Sequence, residues 1–267
     1  MTTKTKPKRD DATHALIDAH AVELKLPTVR SRFRQLAEEA LREQQSSTGY
    51  LAALLDAEVE ERKTRRVSRR LAEAKLPQIK TLDDFVFKDN PALPQATVAT
   101  LAGGEWIDRA ENVILLGESG TGKTHLATAL AVAACHQHRR VRFATLASLA
   151  NELIEAQDER TLARAINRYN RIDLLIIDEL GYLALPAGAA ELVFQVISAR
   201  NEQASLLITT NLPFSEWTRV FADARLAKAV IDRLTHHAHI IDTGTESWRF
   251  NHGLTAAERR KRRTAKK

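Results

Sequence analysis

The chain has 267 residues, of which 44% are hydrophobic and 28% are charged, and this balance allows a packed core and argues against disorder throughout. The single cysteine, Cys135, excludes an intrachain disulfide framework and a zinc site built from cysteines, and no apolar run is long enough to span a membrane. The first ten residues are basic and polar and lack the apolar segment of a secretion signal, so we expect a cytoplasmic protein with no membrane partner.

Charge is distributed unevenly along the chain, although the formal total is only +6. Residues 1–80 hold 17 Lys and Arg against 12 Asp and Glu, a net +5, whereas residues 81–250 hold 16 against 21, a net −5. Residues 251–267 hold 7 basic residues against 1 acidic residue, a net +6. Basic ends on an acidic body indicate a polyanionic partner, and plain solubility is an equally good explanation.

The first part of the chain is predicted to be helical. Residues 1–9 contain four basic residues without periodicity and are expected to form a flexible basic arm. Between residues 10 and 77, apolar residues recur at helical spacing after Pro27, and a polar stretch at 46–49 separates this helix from another that starts near Leu51. We therefore predict a small domain of three or four helices that serves DNA binding and assembly.

Residues 78–111 are predicted to comprise a linker and the start of the core of a second domain. Pro91 and Pro94 interrupt it, and residues 81–87 are typical of an extended segment. From residue 112 onward, short apolar runs alternate with helical patterns, which predicts an α/β fold whose parallel sheet has helices on both faces.

The elements of this second domain can be placed from the apolar runs and the helical spacing. The predicted strands are 113–116, 141–144, 174–178, 206–210 and 240–242. The predicted helices are 123–138, a pair within 146–169, 189–202 and 226–237. The domain is expected to end at residue 250, before a disordered basic tail at 251–267.

A phosphate-binding loop follows the first predicted strand. The pattern G-x-x-x-x-G-K-[ST] is matched at every fixed position, between an apolar strand and an Ala-rich helix. Glycines allow successive backbone N–H groups to point at phosphate oxygens, and the helix N-terminus adds positive potential. Lys123 is expected to reach the β- and γ-phosphates of ATP, and the Thr124 hydroxyl is expected to hold Mg²⁺. The predicted nucleotide-binding residues are Gly117, Glu118, Ser119, Gly120, Thr121, Gly122, Lys123 and Thr124.

Two further strands end in polar side chains that would complete the site. Asp178 and Glu179 follow an apolar strand, at the carboxyl edge where open α/β folds bind their ligands. We expect Asp178 to hold Mg²⁺ and Glu179 to polarise an attacking water, which favours hydrolysis over transfer to a bound hydroxyl group. Asn211 follows the strand 206–210, where its amide either orients that water or simply starts the turn before Pro213.

Together these motifs resemble those of the AAA+ ATPases. The similarity is closest to the IstB-like transposition helper proteins, with the DnaC-type helicase loaders as near relatives. It rests on the loop 117–124 and on the sequences LLIIDELGY, ITTN and VIDRLTHHAHII, and it covers about residues 24–250. The resemblance implies a P-loop AAA+ core at residues 112–250, in which the Asn211 strand lies between the phosphate-loop strand and the Asp178 strand.

The resemblance also implies that neighbouring subunits share the site. Arg233 matches an arginine finger that acts on the ATP of the adjacent subunit, so the protein is expected to assemble into a higher oligomer. An ordinary surface arginine is the alternative for Arg233, and Arg225 is a weaker candidate for the finger. The implied catalytic residues are Lys123, Glu179, Asn211 and Arg233.

The end of the core departs from the usual AAA+ pattern. Many AAA+ proteins carry a helical lid with a sensor arginine, whereas Arg249 is expected here on a terminal strand with no full lid after it. The adenine would then be covered by the linker around Phe85 and Phe87. Simple packing of these two side chains on the core is the favoured alternative.

Two clusters of basic residues suggest contacts with DNA. The first is dense enough to destabilise its predicted helix unless it meets phosphates or acids such as Glu58 and Glu61. The second follows a four-residue spacing, which a solvated helix face explains about equally well. Neither contains aromatic residues, so we expect contacts with the phosphates of double-stranded DNA and no sequence readout. The clusters are Arg62, Lys63, Arg65, Arg66, Arg69 and Arg70, and Arg160, Arg164 and Arg168, with Arg171 nearby.

The sequence therefore predicts an ATP-hydrolysing, DNA-binding oligomer that regulates a transposase in insertion-sequence transposition, with ATP and Mg²⁺ as cofactors. A DnaC-like loader of a replicative helicase is the leading alternative. A P-loop kinase for a small metabolite and a DNA scaffold that binds ATP without turnover are two further possibilities.

Overall fold

The computed structural model describes residues 8–90 and 93–245. Contacts divide the chain into two compact units, with the boundary between Ser68 and Arg69. Within the described residues, no helix combines the length and the apolar character that a membrane crossing requires.

The first unit is helical, as its periodicity predicts. Phe33 and Val29 of the second helix pack with Leu54 of the third to form a small buried core. The first helix begins at Lys8, inside the stretch expected to be a flexible arm, and residues 1–7 lie outside the described part of the chain. The helices are α1 (Lys8–Glu23), α2 (Pro27–Arg42) and α3 (Ser47–Ala74), of which α3 continues past the boundary.

A buried carboxylate from α3 holds the start of α2. Glu58 is 3% exposed and accepts hydrogen bonds from the backbone N–H groups of Thr28 (2.8 Å) and Val29 (3.0 Å) in the first turn of α2. A negative charge is favourable there, because these N–H groups have no partner within the helix and the helix dipole is positive at this end. Arg62 pairs with the other carboxylate oxygen at 2.8 Å, and Arg65 lies 3.5 Å from it. Burial opposes ionisation of Glu58, but these hydrogen bonds outweigh it and hold its pKa below the ordinary value.

The second unit is built on a five-stranded sheet in which all neighbouring strands are parallel. The strand order is β2-β3-β4-β1-β5, so β4 lies between β1 and β3 as the resemblance implies. The strands are β1 (Asn112–Leu116), β2 (Val141–Thr145), β3 (Leu174–Leu180), β4 (Ser205–Thr210) and β5 (Ala238–Asp242).

Helices cover both faces of this sheet, which confirms the predicted α/β fold. Alternate strand residues face opposite sides: Ile114 and Ile208 belong to one buried cluster, and Val113 and Leu207 belong to the other. The helices are α6 (Lys123–His136), α7 (Leu146–Asp158), α8 (Leu162–Asn170), α9 (Ala187–Arg200), α10 (Thr218–Phe221) and α11 (Ala224–Thr235).

The segment before β1 contains short helices that are not among the predicted ones. Val98, Leu101 and Trp106 are buried, and the Trp106 indole N–H donates to the Leu101 carbonyl at 2.8 Å. A helix forms directly after Pro94, a position where the missing N–H of proline costs no hydrogen bond. The elements are a 3₁₀ turn (Phe87–Asp89), α4 (Gln95–Ala102) and α5 (Glu105–Asp108).

Candidate active site

The predicted phosphate-binding loop joins β1 to α6, with Lys123 as the first residue of the helix. Its glycines adopt backbone conformations that other residues rarely reach, with φ of +144° at Gly117, +89° at Gly120 and +93° at Gly122. A Cβ atom at Gly117 would lie 2.8 Å from the Gly244 carbonyl oxygen, so this position has no room for a side chain. The loop therefore has the curled backbone that can direct N–H groups at phosphate oxygens.

Side chains of the loop hold it in this curled form. The Lys123 ammonium donates to the carbonyl oxygens of Gly117 (2.7 Å) and Glu118 (2.8 Å). The Thr121 hydroxyl donates to the Glu118 carbonyl at 2.9 Å and lies 2.7 Å from the Thr243 hydroxyl, beyond the end of β5. Thr243 in turn donates to the Leu116 carbonyl at 2.8 Å, so the loop is braced from the β5 side of the sheet.

Oxygen ligands suited to Mg²⁺ meet beside the loop. The Thr124 hydroxyl donates to both carboxylate oxygens of Asp178, at 3.1 and 3.2 Å, and Asp178 is 3% exposed. A second hydroxyl, that of Thr209 in β4, donates a short hydrogen bond to the same carboxylate. A hydroxyl and a carboxylate are the hard oxygen ligands that Mg²⁺ takes in nucleotide sites, so these residues fit the ion.

Glu179 lies next to Asp178 but points in another direction. Its φ is +61°, the left-handed region, and its side chain is exposed whereas Asp178 and Leu180 are buried. The structure brings Asn211 to the same edge of the sheet: a Cβ atom at Gly181 would lie 2.9 Å from the Asn211 Oδ1 atom. Both predicted catalytic side chains are thus near the carboxyl ends of the adjacent strands β3 and β4.

Arg233 lies near the C-terminal end of α11 and packs against other residues of the same chain. Its guanidinium carbon is 4.7 Å from the centre of the Phe194 ring, and it donates to the Ala229 carbonyl at 3.2 Å. Arg225 is exposed in the first turn of the same helix. Arg249 lies outside the described residues, as does the predicted basic tail.

The linker packs directly against the phosphate-binding loop. The Phe85 ring meets Phe87 at 4.9 Å and His125 at 5.2 Å, both edge to face, and a Cβ atom at Gly122 would lie 2.7 Å from the Phe85 ring. Both phenylalanines are half-buried against a hydrophobic cluster of the core. This is the arrangement expected if the two side chains simply pack on the core. Burial lowers the pKa of His125 and so favours its neutral form.

Most of the basic residues of α3 have partners within the protein. Arg62 and Arg65 surround the buried Glu58, and the other pairs are Lys63 with Glu60, and Arg69 and Arg70 with Glu73. Arg70 also donates to the His138 carbonyl at 3.1 Å. Within the described part of the chain, Arg66 is exposed and makes no hydrogen bond or ion pair.

The second basic cluster is not the continuous helical stripe that its spacing predicts. Arg160 lies in the turn between α7 and α8, with φ of +58°, so the four-residue spacing from Arg160 to Arg164 does not place them on one helix face. Arg168 forms a short ion pair with Glu152. Arg164 and Arg171 are exposed.

Three residues have structural roles that the sequence does not predict. From the sequence, Glu58 is only an acid that could balance nearby arginines, because its capping of α2 in the helical unit depends on tertiary packing. Thr209 and Thr243 carry no motif of their own. The available signal for Thr209 is a polar residue directly after the apolar run 206–208, two positions before Asn211.

The comparisons with known proteins agree with this geometry. The family described as IstB-like ATP binding protein matches residues 19–256. A Sinorhizobium fredii protein described as an insertion sequence ATP-binding protein is 39% identical over 244 residues, covering 91% of this chain and 82% of that protein. The ATP-binding protein of insertion sequence IS21 from Pseudomonas aeruginosa is 37% identical over 227 residues, covering 85% and 86% of the two chains.

A solved structure shares the fold. AMPPCP-bound DnaA from Aquifex aeolicus superposes with a TM-score of 0.54 at 19% identity, covering 63% of this chain and 51% of that one. At this identity the likeness concerns the fold, which is that of an AAA+ P-loop domain.

Proposed function

This chain belongs to the IstB-like family of ATP-binding proteins, which are AAA+ ATPases, and from that premise we propose that it assembles on DNA with ATP and regulates a partner transposase. The observation that carries the proposal is the group of side chains at one sheet edge: Thr124 against Asp178, with Glu179 and Asn211 at the adjoining strand ends.

ATP binding falls to the phosphate-binding loop and Lys123. The backbone N–H groups of residues 117–124 and the N-terminus of α6 supply positive potential for the phosphates. Lys123 donates to two loop carbonyls, and its long, flexible side chain places the ammonium where it can turn toward the β- and γ-phosphate oxygens.

Thr124 and Asp178 would hold Mg²⁺. The ion, when bound, supplies positive charge that neutralises the phosphate oxygens as the γ-phosphoryl group leaves. The protein contributes by holding the Thr124 hydroxyl and the Asp178 carboxylate in fixed positions. The 3.1–3.2 Å hydrogen bonds between these two groups do this.

Glu179 and Asn211 would act on the attacking water. The Glu179 carboxylate is exposed, so it can reach a water in front of the γ-phosphate and accept its proton. The Asn211 amide, near the same turn, can donate one hydrogen bond and accept another, which fixes the orientation of that water.

Arg233 would complete the site of a neighbouring subunit. A guanidinium brought to the γ-phosphate stabilises the charge of the transition state, and such fingers contribute about 10³–10⁵ in rate in other nucleotide hydrolases. Its packing on Phe194 fixes the side chain on a rigid helix, which suits a group that must fit a second copy of the chain.

DNA binding would rest on exposed cations that form no ion pair with another described residue. Arg66 in the helical unit and Arg160, Arg164 and Arg171 in the core are the best candidates, and Lys63, Arg69 and Arg168 are exposed but paired. We expect these side chains to contact backbone phosphates, which carry no sequence information, so binding would not depend on sequence. The relatives described as insertion sequence proteins favour a transposase over a replicative helicase as the client.

One experiment tests assembly on DNA directly. The particle mass of the full chain is measured with two unrelated duplexes of equal length, each with ATP, with ADP and with a slowly hydrolysed ATP analogue, and the Lys123→Ala variant serves as the matched control. We expect particles of several subunits on both duplexes with the analogue, and none with the variant. A wild-type protein that stays monomeric under every condition would contradict the proposal.

A capture experiment identifies the client. The protein, loaded with the analogue and DNA, is presented in turn to the purified transposase of its element and to a replicative helicase. Retention of the transposase alone supports the proposal, whereas retention of the helicase alone supports the loader alternative.

A further inference from the structure

β3 contains a bulge at its two functional carboxylates. Ile177 pairs with Ile208 and Leu180 pairs with Thr210, so β3 advances three residues while β4 advances two. The additional residue lies within the pair Asp178 and Glu179. Bulges of this kind redirect side chains, and here the bulge buries Asp178 while leaving Glu179 exposed.

The bulge has a strained backbone that requires support. Glu179 has φ of +61°, a conformation that is unfavourable for a residue with a side chain. Its backbone N–H cannot use the regular ladder position at the bulge, and it donates to the Thr209 hydroxyl oxygen at 3.0 Å. The strained conformation is therefore tied to one side chain of the neighbouring strand.

The same hydroxyl also orients Asp178. Thr209 is 2% exposed, and its Oγ1 atom donates a short hydrogen bond to Asp178 Oδ1. A hydroxyl has one proton to donate and two lone pairs, so one group satisfies both the Asp178 carboxylate and the Glu179 amide. Asp178 is bonded on its other side by Thr124 of the phosphate-binding loop.

We propose that Thr209 is a positioning residue for ATP hydrolysis: one buried hydroxyl fixes the carboxylate of Asp178 and the backbone of Glu179 together. Thr209 does not touch the nucleotide and acts through these two residues. Because it belongs to β4, the strand that precedes Asn211, it also links the three polar groups at this edge of the sheet. The proposal rests on the roles proposed above for Asp178 and Glu179.

Isosteric substitution tests the proposal. Thr209→Val keeps the shape and removes both hydrogen bonds, and Thr209→Ser keeps the hydroxyl. Thr128→Val is the matched control, because Thr128 is also a buried threonine, 2% exposed, whose hydroxyl donates to the Thr124 backbone carbonyl at 2.7 Å. Steady-state hydrolysis is measured with DNA present, together with the Mg²⁺ concentration at half-maximal rate, nucleotide affinity without Mg²⁺, and the unfolding temperature.

We expect Thr209→Val to lower kcat at least tenfold and to raise the Mg²⁺ requirement severalfold, with nucleotide affinity without Mg²⁺ unchanged within twofold. Thr209→Ser should return kcat to within about threefold of wild type. A kcat for Thr209→Val within twofold of wild type, a failure of Thr209→Ser to rescue, or an equal loss in Thr128→Val would overturn the proposal.

A Glu179→Gln variant separates this proposal from the one on which it rests. If Glu179→Gln abolishes hydrolysis and Thr209→Val does not lower it, the positioning role alone fails. If Glu179→Gln hydrolyses ATP at the wild-type rate, the proposed role of Glu179 fails, and the role of Thr209 fails with it. If Thr209→Val does not fold, hydrogen exchange of the Glu179 amide is measured in Thr209→Ser. Serine keeps the hydroxyl that accepts from this amide, so the amide should stay protected, and loss of its protection would contradict the proposal.

Discussion

Replacing Glu58 with alanine tests whether the basic segment of α3 is partly structural. The substitution removes the acceptor for the Thr28 and Val29 N–H groups and leaves Arg62 without its buried partner. A helix N-terminal acceptor contributes about 1 kcal/mol, and a partly buried negative charge there adds up to about 1 kcal/mol beyond it. The pair with the half-exposed Arg62 is screened by water and adds at most about 1 kcal/mol. The free energy of unfolding should therefore fall by up to about 3 kcal/mol in this unit.

That loss is large for so small a unit. Residues 8–68 are 61 residues, and at about 0.1 kcal/mol per residue their total stability is about 6 kcal/mol. Hydrogen exchange of the full chain measures the effect, because peptides from α2 report opening of this unit. A loss of 3 kcal/mol lowers their protection by about two orders of magnitude. All three tryptophans follow residue 100, so their fluorescence serves as a control for the second unit.

Glu60→Ala is the matched control. Glu60 is 70% exposed and pairs only with Lys63 on the surface, so its removal should change the protection of α2 peptides by less than about fivefold. Equal effects of Glu58→Ala and Glu60→Ala would refute the capping role. The pH dependence has a definite sign: because the folded pKa of Glu58 lies below its ordinary 4.5, its contribution is fully present above pH 4.5 and is lost as the pH falls through the folded value.

Two further predictions concern single side chains. Arg66→Ala should weaken DNA binding and reduce the slope of log affinity against log salt by about 0.9, the effect of one phosphate contact, without changing α2 protection; an unchanged slope would exclude Arg66 from the DNA interface. Burial raises the pKa of the Cys135 thiol to about 11, so the native protein at pH 8 should not react with a thiol reagent until it unfolds, and rapid labelling of the folded protein would show that the α6 core opens.

The sequence predicts those parts of the fold that depend on local pattern. Each predicted strand lies within two residues of the observed one, and the central strands β1, β3 and β4 are the clearest, because each contains an apolar run that is buried on both faces of the sheet. The phosphate-binding loop is equally evident, since its glycines are required by backbone conformations that other residues avoid.

Other features depend on packing and could not be read from spacing. Arg62 and Arg65 belong to a segment with as many basic residues as a DNA-binding helix. The structure nevertheless places both side chains around Glu58, which is buried because α3 packs against α2. Arg160 matches a helical repeat but falls in a turn, because one residue with positive φ breaks the periodicity. The role proposed for Thr209 depends on a bulge in the neighbouring strand β3. The sequence of β4 does not indicate that bulge.

We propose that two copies of the chain complete one ATP site, and the sharpest test is to mix two inactive variants. The Arg233→Ala variant retains Glu179, and the Glu179→Gln variant retains Arg233. A complete site therefore forms at each interface where an Arg233→Ala subunit binds the ATP and a neighbouring Glu179→Gln subunit supplies Arg233. In a random equal mixture about a quarter of the interfaces meet this condition, so hydrolysis should recover to about a quarter of the wild-type rate. A mixture no more active than the average of its two components would contradict a shared site.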